Sequence, residues 1–383
     1  MALHFSESEF ERRRARVLAV MKEQKIDAML LFAQESMYWL TGYDTFGFCF
    51  FQCLVLRNDG STTLLTRSAD LRQAQHTSNI KDIRVWTDRG GASPVEDLKA
   101  LLFDLELLGQ RLGVEFDTVG LSGRNALNVA EMLKSFANYV DASELVTELR
   151  AIKSAAEILH VRDAAKQADD ALLAALEEIK AGADEGDVLA AMQGSIFRAG
   201  GDYPGNEFIL GSGRDALLCR YKSGRRKLSE VDQITLEWAG AACRYHVAMM
   251  RTVCVGEATP RHRQLFDVAL QALEAVEATL IPGKTFGDVF DAHARVIDEA
   301  GETAHRLNAC GYSLGAHFTP CWMDMPMFYR GNKATVEPNM VLFAHMILMD
   351  SETETAMCLG ETFLIGPEGP ERLSALPREL LVR

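Results

Sequence analysis

The spacing of apolar residues changes near residue 148, and this change limits the folds open to the chain. Before it, short strand-like runs such as Ala28–Phe32 and Arg111–Glu115 alternate with helical patterns at 95–108 and 123–137. Alternation of strands and helices predicts an α/β layer. The first domain is therefore expected to be an α/β domain that covers residues 1–148.

After residue 148 the helical patterns become longer and the strand-like runs more apolar. Helices are predicted at 154–181, 184–199 and 286–300, and strands at 233–237 and 340–349, among others. Helices and strands that do not alternate regularly indicate an α+β domain with a mostly antiparallel sheet. The sequence thus predicts an α+β protein whose second domain covers residues 149–383.

The amino-acid composition limits the classes of partner that the chain is expected to bind. The 383 residues include 40 basic and 54 acidic side chains, which gives a formal net charge of −14. This acidic balance argues against nucleic acid and anionic membranes, because both are polyanions. The net charge says little about small-molecule substrates, since local charge can oppose it.

Cysteine usage and the apolar runs bear on location. The eight cysteines are scattered and form no C-x-x-C pair, which is typical of reduced thiols. The chain begins without a basic segment followed by an apolar one, and it has no run of 18 apolar residues. A cytoplasmic protein is the resulting expectation.

Several apolar strand-like runs contain ionisable side chains that their pattern does not require. Glu237 lies between Leu236 and Trp238, and a carboxyl buried there would have a raised pKa suited to acid, base or nucleophilic chemistry. Strict alternation instead turns Glu237 towards solvent. His345 and Glu361 stand in two further apolar runs with the same ambiguity.

Other polar and aromatic residues are candidates for binding a substrate. Arginine binds carboxylates through its planar fork, which makes Arg220 and Arg251 candidates for a substrate carboxylate, and Arg251 has a structural alternative. His246 near a turn has a structural alternative. The remaining candidates for the wall of a pocket are Trp238, Tyr312, His317, Trp322 and Phe46.

A metal site is the alternative reading of the same side chains. Its ligands would come from Glu237, His246, His317, His345, Asp350 and Glu361. These residues show no recognised ligand spacing, so the sequence favours no metal and no other cofactor.

Taken together, several segments resemble the creatinase and Xaa-Pro aminopeptidase superfamily, which has the pita-bread fold. The segments are 37–43, 148–157, 236–240, 250–252, 311–315 and 337–341, in this order along the whole chain. The resemblance implies a creatinase-type N-terminal α/β domain and a pita-bread catalytic domain. It also implies a homodimer in which Phe46 of one subunit approaches the active site of the other.

The metallopeptidases of this superfamily hold two metal ions with two Asp, one His and two Glu. The corresponding positions are expected at Trp238, Ala248, Tyr312, His345 and near Glu361, the last uncertain by one residue. Four of these five lack the family's ligand, so the resemblance implies the metal-free branch, similar to creatinase and ectoine hydrolase.

The function predicted from the sequence is therefore metal-independent hydrolysis of a C–N bond in a small polar or zwitterionic nitrogenous compound. Glu237, His345 and Glu361 are the predicted catalytic residues. Glu237 would be nucleophile or base, and His345 would shuttle a proton, since its ordinary pKa lies near neutrality. Glu361 would orient His345 or bind a cationic nitrogen. Three alternatives stay open. They are a lyase of the dimethylsulfoniopropionate type, a metal-dependent Xaa-Pro peptidase and a non-catalytic binding module.

Overall fold

The computed structural model describes residues 3–220 and 225–383. The chain divides into two compact units, Met1–Arg150 and Ala151–Arg383. The domain boundary expected from the sequence was 148.

The first unit contains a mixed six-stranded sheet with helices on both faces. Its strands are β1 (Ala28–Leu31), β2 (Cys53–Arg57), β3 (Thr62–Arg67), β4 (Asp82–Trp86), β5 (Arg111–Val114) and β6 (Asn138–Asp141), in the order β4-β3-β2-β1-β5-β6. Its helices are α1 (Glu7–Glu23), α2 (Gln34–Thr41), α3 (Leu71–Thr77), α4 (Pro94–Asp104), α5 (Gly123–Phe136) and α6 (Ser143–Ala151). A turn at Asn58–Gly60 joins the antiparallel strands β2 and β3.

Local sequence signals explain where the helices begin. The Ser6 side chain accepts a hydrogen bond from the Glu9 backbone N–H and so caps α1. In the second unit, Ser154 and Glu157 form a complete capping box at the start of α7 (Ala155–Glu178). These caps satisfy N–H groups that have no partner inside the helix.

The second unit contains a nine-stranded sheet and four long helices. Its strands are β7 (Ile209–Ser212), β8 (Asp232–Ala242), β9 (Tyr245–Val255), β10 (Ala309–Ser313), β11 (Asp324–Tyr329), β12 (Val341–Asp350), β13 (Thr355–Gly366), β14 (Gly369–Arg372) and β15 (Leu381–Val382). The main order is β11-β10-β12-β13-β9-β8-β7, with β14 beside β13 and β15 beside β9. All of these pairs are antiparallel except β15 with β9, as the sequence predicted for a mostly antiparallel sheet.

Helices α7, α8 (Glu185–Arg198), α9 (Pro260–Thr279) and α10 (Phe286–Glu299) complete this unit. One face of the sheet packs against them, and we call it the helix face. Leu342, Ala344 and Met346 of β12 share a core with residues of α9 and α10. Helix α7 approaches β8 so closely that a Cβ at Gly240 would lie 2.0 Å from the Ala164 carbonyl oxygen.

The opposite face of the sheet, which we call the site face, follows from the strand pairing. Residues directly opposite each other on neighbouring antiparallel strands point to the same side. Glu237 pairs with Met250, Met250 with Gly360, and Gly360 with His345. The site face therefore carries Glu237 and His345, while their sequence neighbours point towards the helices.

No helix among the described residues is long and apolar enough to span a membrane.

Candidate active site

Glu237 is the central ionisable residue of the site face. Its side chain is 7 % exposed. Burial raises the pKa of this carboxyl to about 7, although the charge of Arg220 and a hydrogen bond from Tyr312 oppose the shift. Of the two alternatives that the sequence left open for Glu237, the structure shows the buried one. A carboxyl with this pKa exchanges protons readily near neutrality.

Tyr312 and Trp322 form a directed chain of hydrogen bonds that ends at Glu237. The Trp322 indole Nε1–H donates to the Tyr312 hydroxyl at 2.9 Å, and that hydroxyl donates to Glu237 Oε1 at 3.4 Å. An indole N–H can only donate, so the single proton of Tyr312 is left for Glu237. Among the described residues, Tyr312 is the one hydrogen-bond partner of this carboxyl, and Oε2 is left for a water or a substrate.

His345 lies beside Tyr312 on the same face. The ring centroids of His345 and Tyr312 are 5.7 Å apart, and Phe343 closes the group at 5.6 Å from His345. Burial lowers the pKa of His345 to about 4, so its imidazole is neutral at pH 7. The expectation that His345 titrates near neutrality is therefore corrected.

The Nδ1 atom of His345 is buried and has no hydrogen-bond partner in the described part of the chain. A buried polar atom without a partner costs about 1–3 kcal/mol. A bound molecule that reaches this atom would recover that free energy, which makes Nδ1 a candidate contact for a substrate.

Glu361 does not belong to this group. It pairs with Ala344 on the helix face, where Arg251 donates to its Oε1 at 2.5 Å. Arg251 also donates to the carbonyl oxygens of Met250 and Gly360. The ion pair of these two residues behind the site favours the structural alternative for Arg251, and it does not fit the predicted catalytic role of Glu361.

Trp238 is also on the helix face. It is fully buried, and its indole Nε1–H donates to the Ala168 carbonyl oxygen of α7 at 2.9 Å. The prediction that Trp238 lines the substrate pocket is wrong, since its strand places Glu237 there instead.

The two remaining histidines are held by structural contacts. His246 Nε2 accepts from the Gly205 backbone N–H at 2.8 Å, and burial lowers the pKa of His246 to about 3. This favours the structural alternative for His246 over substrate binding. His317 lies with Nε2 at 3.8 Å from Asp324 Oδ1, and its backbone N–H donates to the Arg244 carbonyl oxygen.

Two predicted substrate-binding residues are exposed. Arg220 lies next to the undescribed residues 221–224, and its positive charge acts on Glu237, Tyr312 and His345. Arg220 therefore lies at the rim of the site. Phe46 belongs to the first unit and is 78 % exposed, and its approach to a partner's active site stays a prediction.

A cleft beside Glu237 was not foreseen from the sequence. Of the described residues, those lining it are mostly apolar or sulfur-containing, with Met250, Ile347, Met349, Cys219 and Cys358 among them. Their common feature is a place on the site face or at its edge. Every second residue after His345 lies on the same face of its strand, which would have indicated Ile347 and Met349. This step requires knowing which face His345 occupies.

The side chains on the site face do not fit a pair of metal ions. Trp238 and Glu361 were expected at ligand positions, but both side chains point to the helix face. Their sequence neighbours Glu237 and Gly360 lie on the site face instead. Phe343 covers Gly360 so closely that a Cβ there would lie 2.7 Å from its ring. Within residues 3–220 and 225–383, no group of three or more His, Cys, Asp or Glu side chains is placed to hold a metal.

The residues Gly311–Gly315 have the G-x-S-x-G spacing of a nucleophile elbow. That motif requires a sharp turn from strand to helix, whereas Ser313 is a buried residue of strand β10. Its hydroxyl lies 3.5 Å from Lys153 Nζ and 3.4 Å from the Val341 carbonyl oxygen. Ser313 is therefore a packing residue.

Comparison with known proteins agrees with this architecture. Residues 160–367 match the model of metallopeptidase family M24, and residues 13–152 match the creatinase/prolidase N-terminal domain. An uncharacterized hydrolase/peptidase of Sinorhizobium fredii is 30% identical over 99% of this chain and 97% of its own length. The ectoine hydrolase of Halomonas elongata is 26% identical over 100% of this chain and 99% of its own length.

Among solved structures, the X-Pro aminopeptidase from Thermotoga maritima has a TM-score of 0.84 at 19% identity. The match covers 97% of this chain and 99% of the other. The predicted superfamily, and the pita-bread domain preceded by a creatinase-type domain, are thus confirmed.

Proposed function

The chain belongs to metallopeptidase family M24, a family of hydrolases, and we propose that it cleaves a C–N bond of a small polar or zwitterionic nitrogenous compound without a metal ion. The hydrogen bond from Tyr312 to the buried Glu237 carries this proposal. It supports a carboxyl group, rather than a metal ion, as the group that activates water. The similarity to ectoine hydrolase supports the same class of substrate.

Glu237 would act as a general base. Its free Oε2 takes a proton from a water molecule, the hydroxide oxygen bonds to the substrate carbon, and the C–N bond breaks. Glu237 then returns the proton to the leaving nitrogen, so that one water is consumed and no co-reactant is needed. Its pKa of about 7 suits both transfers, because neither protonation state is strongly disfavoured near neutrality.

His345 would bind rather than transfer protons. Its neutral imidazole presents a buried Nδ1 that has no partner among the described residues, and this atom can hydrogen bond to a polar group of the substrate. Arg220 at the rim supplies a positive charge for a substrate carboxylate. An acidic protein can in this way bind an anionic group next to a cationic or neutral nitrogen.

The test is turnover by protein treated with a chelator and shown by elemental analysis to be free of metal. The substrates are creatine, ectoine, related betaines and Xaa-Pro dipeptides, and products are followed by mass spectrometry in H₂¹⁸O. We expect a C–N compound to be cleaved with one ¹⁸O incorporated, and Glu237→Gln to abolish this. Glu368→Gln, which changes an exposed carboxylate of the same unit, serves as the matched control.

Other outcomes separate the alternatives. Cleavage of Xaa-Pro dipeptides that requires added metal would assign a metal-dependent peptidase and overturn the proposal. Cleavage without ¹⁸O incorporation would assign a lyase, in which Glu237 removes a proton from carbon and no water is consumed.

A further inference from the structure

The cleft beside Glu237 has a chemical character that the hydrolytic step does not use. Of the described residues that line it, Glu237 is the one whose side chain carries a charge near neutrality, since the pKa of both cysteine thiols, Cys219 and Cys358, is raised by burial. The rest of the lining is mainly aliphatic and thioether, with Met250, Ile347 and Met349 among it.

The cleft lies on one side of Glu237. The rings of Tyr312, Phe343 and His345 lie on the other side. Met250 faces Glu237 directly across strands β8 and β9, and Ile347 faces Cys358 across β12 and β13. Tyr312, which donates to Glu237 from the other side, does not line the cleft. A molecule bound at Glu237 therefore meets a polar wall on one side and an apolar wall on the other.

The room inside the cleft is small. The cavity volume is about 10 Å³, which is close to the space that one water molecule needs. A methyl group is of similar size, and a mainly apolar wall offers few of the two to four polar partners that a bound water needs.

We propose that this cleft is a subsite for a methyl-sized apolar group attached to the carbon at which Glu237 acts. The inference rests on the proposed function and adds a substrate class to it: compounds whose reacting carbon bears a short alkyl substituent. Discrimination would come from contact with Met250, Ile347 and Met349, and one methylene in such a pocket changes kcat/KM or affinity by about 10- to 200-fold.

The subsite can be tested by binding alone, without knowledge of the substrate. We would label the protein with [methyl-¹³C]methionine and titrate it with formamide, acetamide, propionamide and hexanamide. The methyl signals of Met250 and Met349, assigned through Met250→Leu and Met349→Leu, report occupation of the cleft. Met132 in the first unit and Met192 in α8 serve as internal controls.

We expect acetamide to shift the Met250 and Met349 signals saturably, and formamide, propionamide and hexanamide to bind at least about 10-fold more weakly. The controls should not move. Ile347→Phe should fill the cleft and abolish the shifts. If that variant does not fold, the chain-length series on the wild-type protein decides the question.

Equal shifts with all four amides, or shifts of the control methionines of the same size, would overturn the subsite. Saturable, length-dependent binding without turnover of any C–N compound would keep the subsite and count against the proposed hydrolysis. Turnover that does not depend on the length of the alkyl group would do the reverse.

Discussion

Arg251 and Glu361 form a fully buried ion pair on the helix face, directly behind Met250 and Gly360. Arg251 also donates to the backbone of both of these residues, which lie on neighbouring strands. The pair therefore holds β9 and β13 together at the point where their site-face residues meet. Glu361, which the sequence predicts to be catalytic, therefore stabilises the strands that carry the site face.

Removing one partner of this pair should destabilise the protein strongly. Glu361→Gln leaves the Arg251 charge buried with less compensation, and breaking such a pair costs about 3–5 kcal/mol. Urea unfolding should show this loss, while KM of the remaining folded enzyme stays near the wild-type value. The double variant Arg251→Met/Glu361→Met should be less destabilised than Glu361→Gln, and a more severe loss in the double variant would contradict the assignment.

Glu237→Gln should stabilise the protein in mildly alkaline solution. The folded-state pKa of Glu237, about 7, lies above the ordinary value of 4.5, so wild-type stability is lost as pH rises from about 4.5 to 7. The full difference corresponds to about 3 kcal/mol. The free energy of unfolding from urea titrations at pH 4.5 and pH 8 measures it. A variant with no advantage at pH 8 would show that Glu237 is not desolvated as described.

His345 should have the opposite effect at acid pH. Its folded-state pKa of about 4 lies below the ordinary 6.5, so the wild-type protein loses stability as pH falls from 6.5 towards 4. His345→Gln removes this proton-linked loss, and its free energy of unfolding should decline less steeply over the same range. Parallel curves for the two proteins would be the contrary result. Both proteins carry His293→Gln, because the charge of His345 also contributes to the lowered pKa of His293.

Trp322 should influence the ionisation of Glu237 although it makes no direct contact with the carboxyl in this chain of hydrogen bonds. Trp322→Phe frees the Tyr312 hydroxyl to rotate, and Tyr312→Phe removes it, so the pKa of Glu237 rises in both. The acidic limb of the kcat/KM profile should move upward by up to about one pH unit. The double variant should shift no further than Tyr312→Phe. Lower activity with an unchanged profile would limit Trp322 to a packing role.

The sequence predicted the helices and strands of both domains because their periodicities are visible in the order of apolar and polar residues. It could not predict which face Glu361 occupies. Strands β8, β9 and β13 are buried on both sides over nearly their whole length, so the alternation of apolar and polar residues that marks an inner face is absent. A shift of one residue exchanges the two faces, and this turned Trp238 and Glu361 into false members of the site.

The link between Tyr312, Trp322 and Glu237 was out of reach for a different reason. The three residues come from β10, the loop after it and β8, and no local pattern relates them. The sequence indicates Tyr312 and Trp322 as walls of a pocket. Their hydrogen bonds instead connect them to the carboxyl group of Glu237. Long-range pairing set this geometry.

The Phe343 ring that packs against Gly360 also limits which residues position 360 can accept. An acidic side chain at position 360 requires the Phe343 ring to move or to become smaller, since even a Cβ would lie 2.7 Å from the ring. Substitution at either position alone leaves a clash or a cavity. A carboxylate can therefore enter the site face at position 360 only where the residue at position 343 leaves room for it.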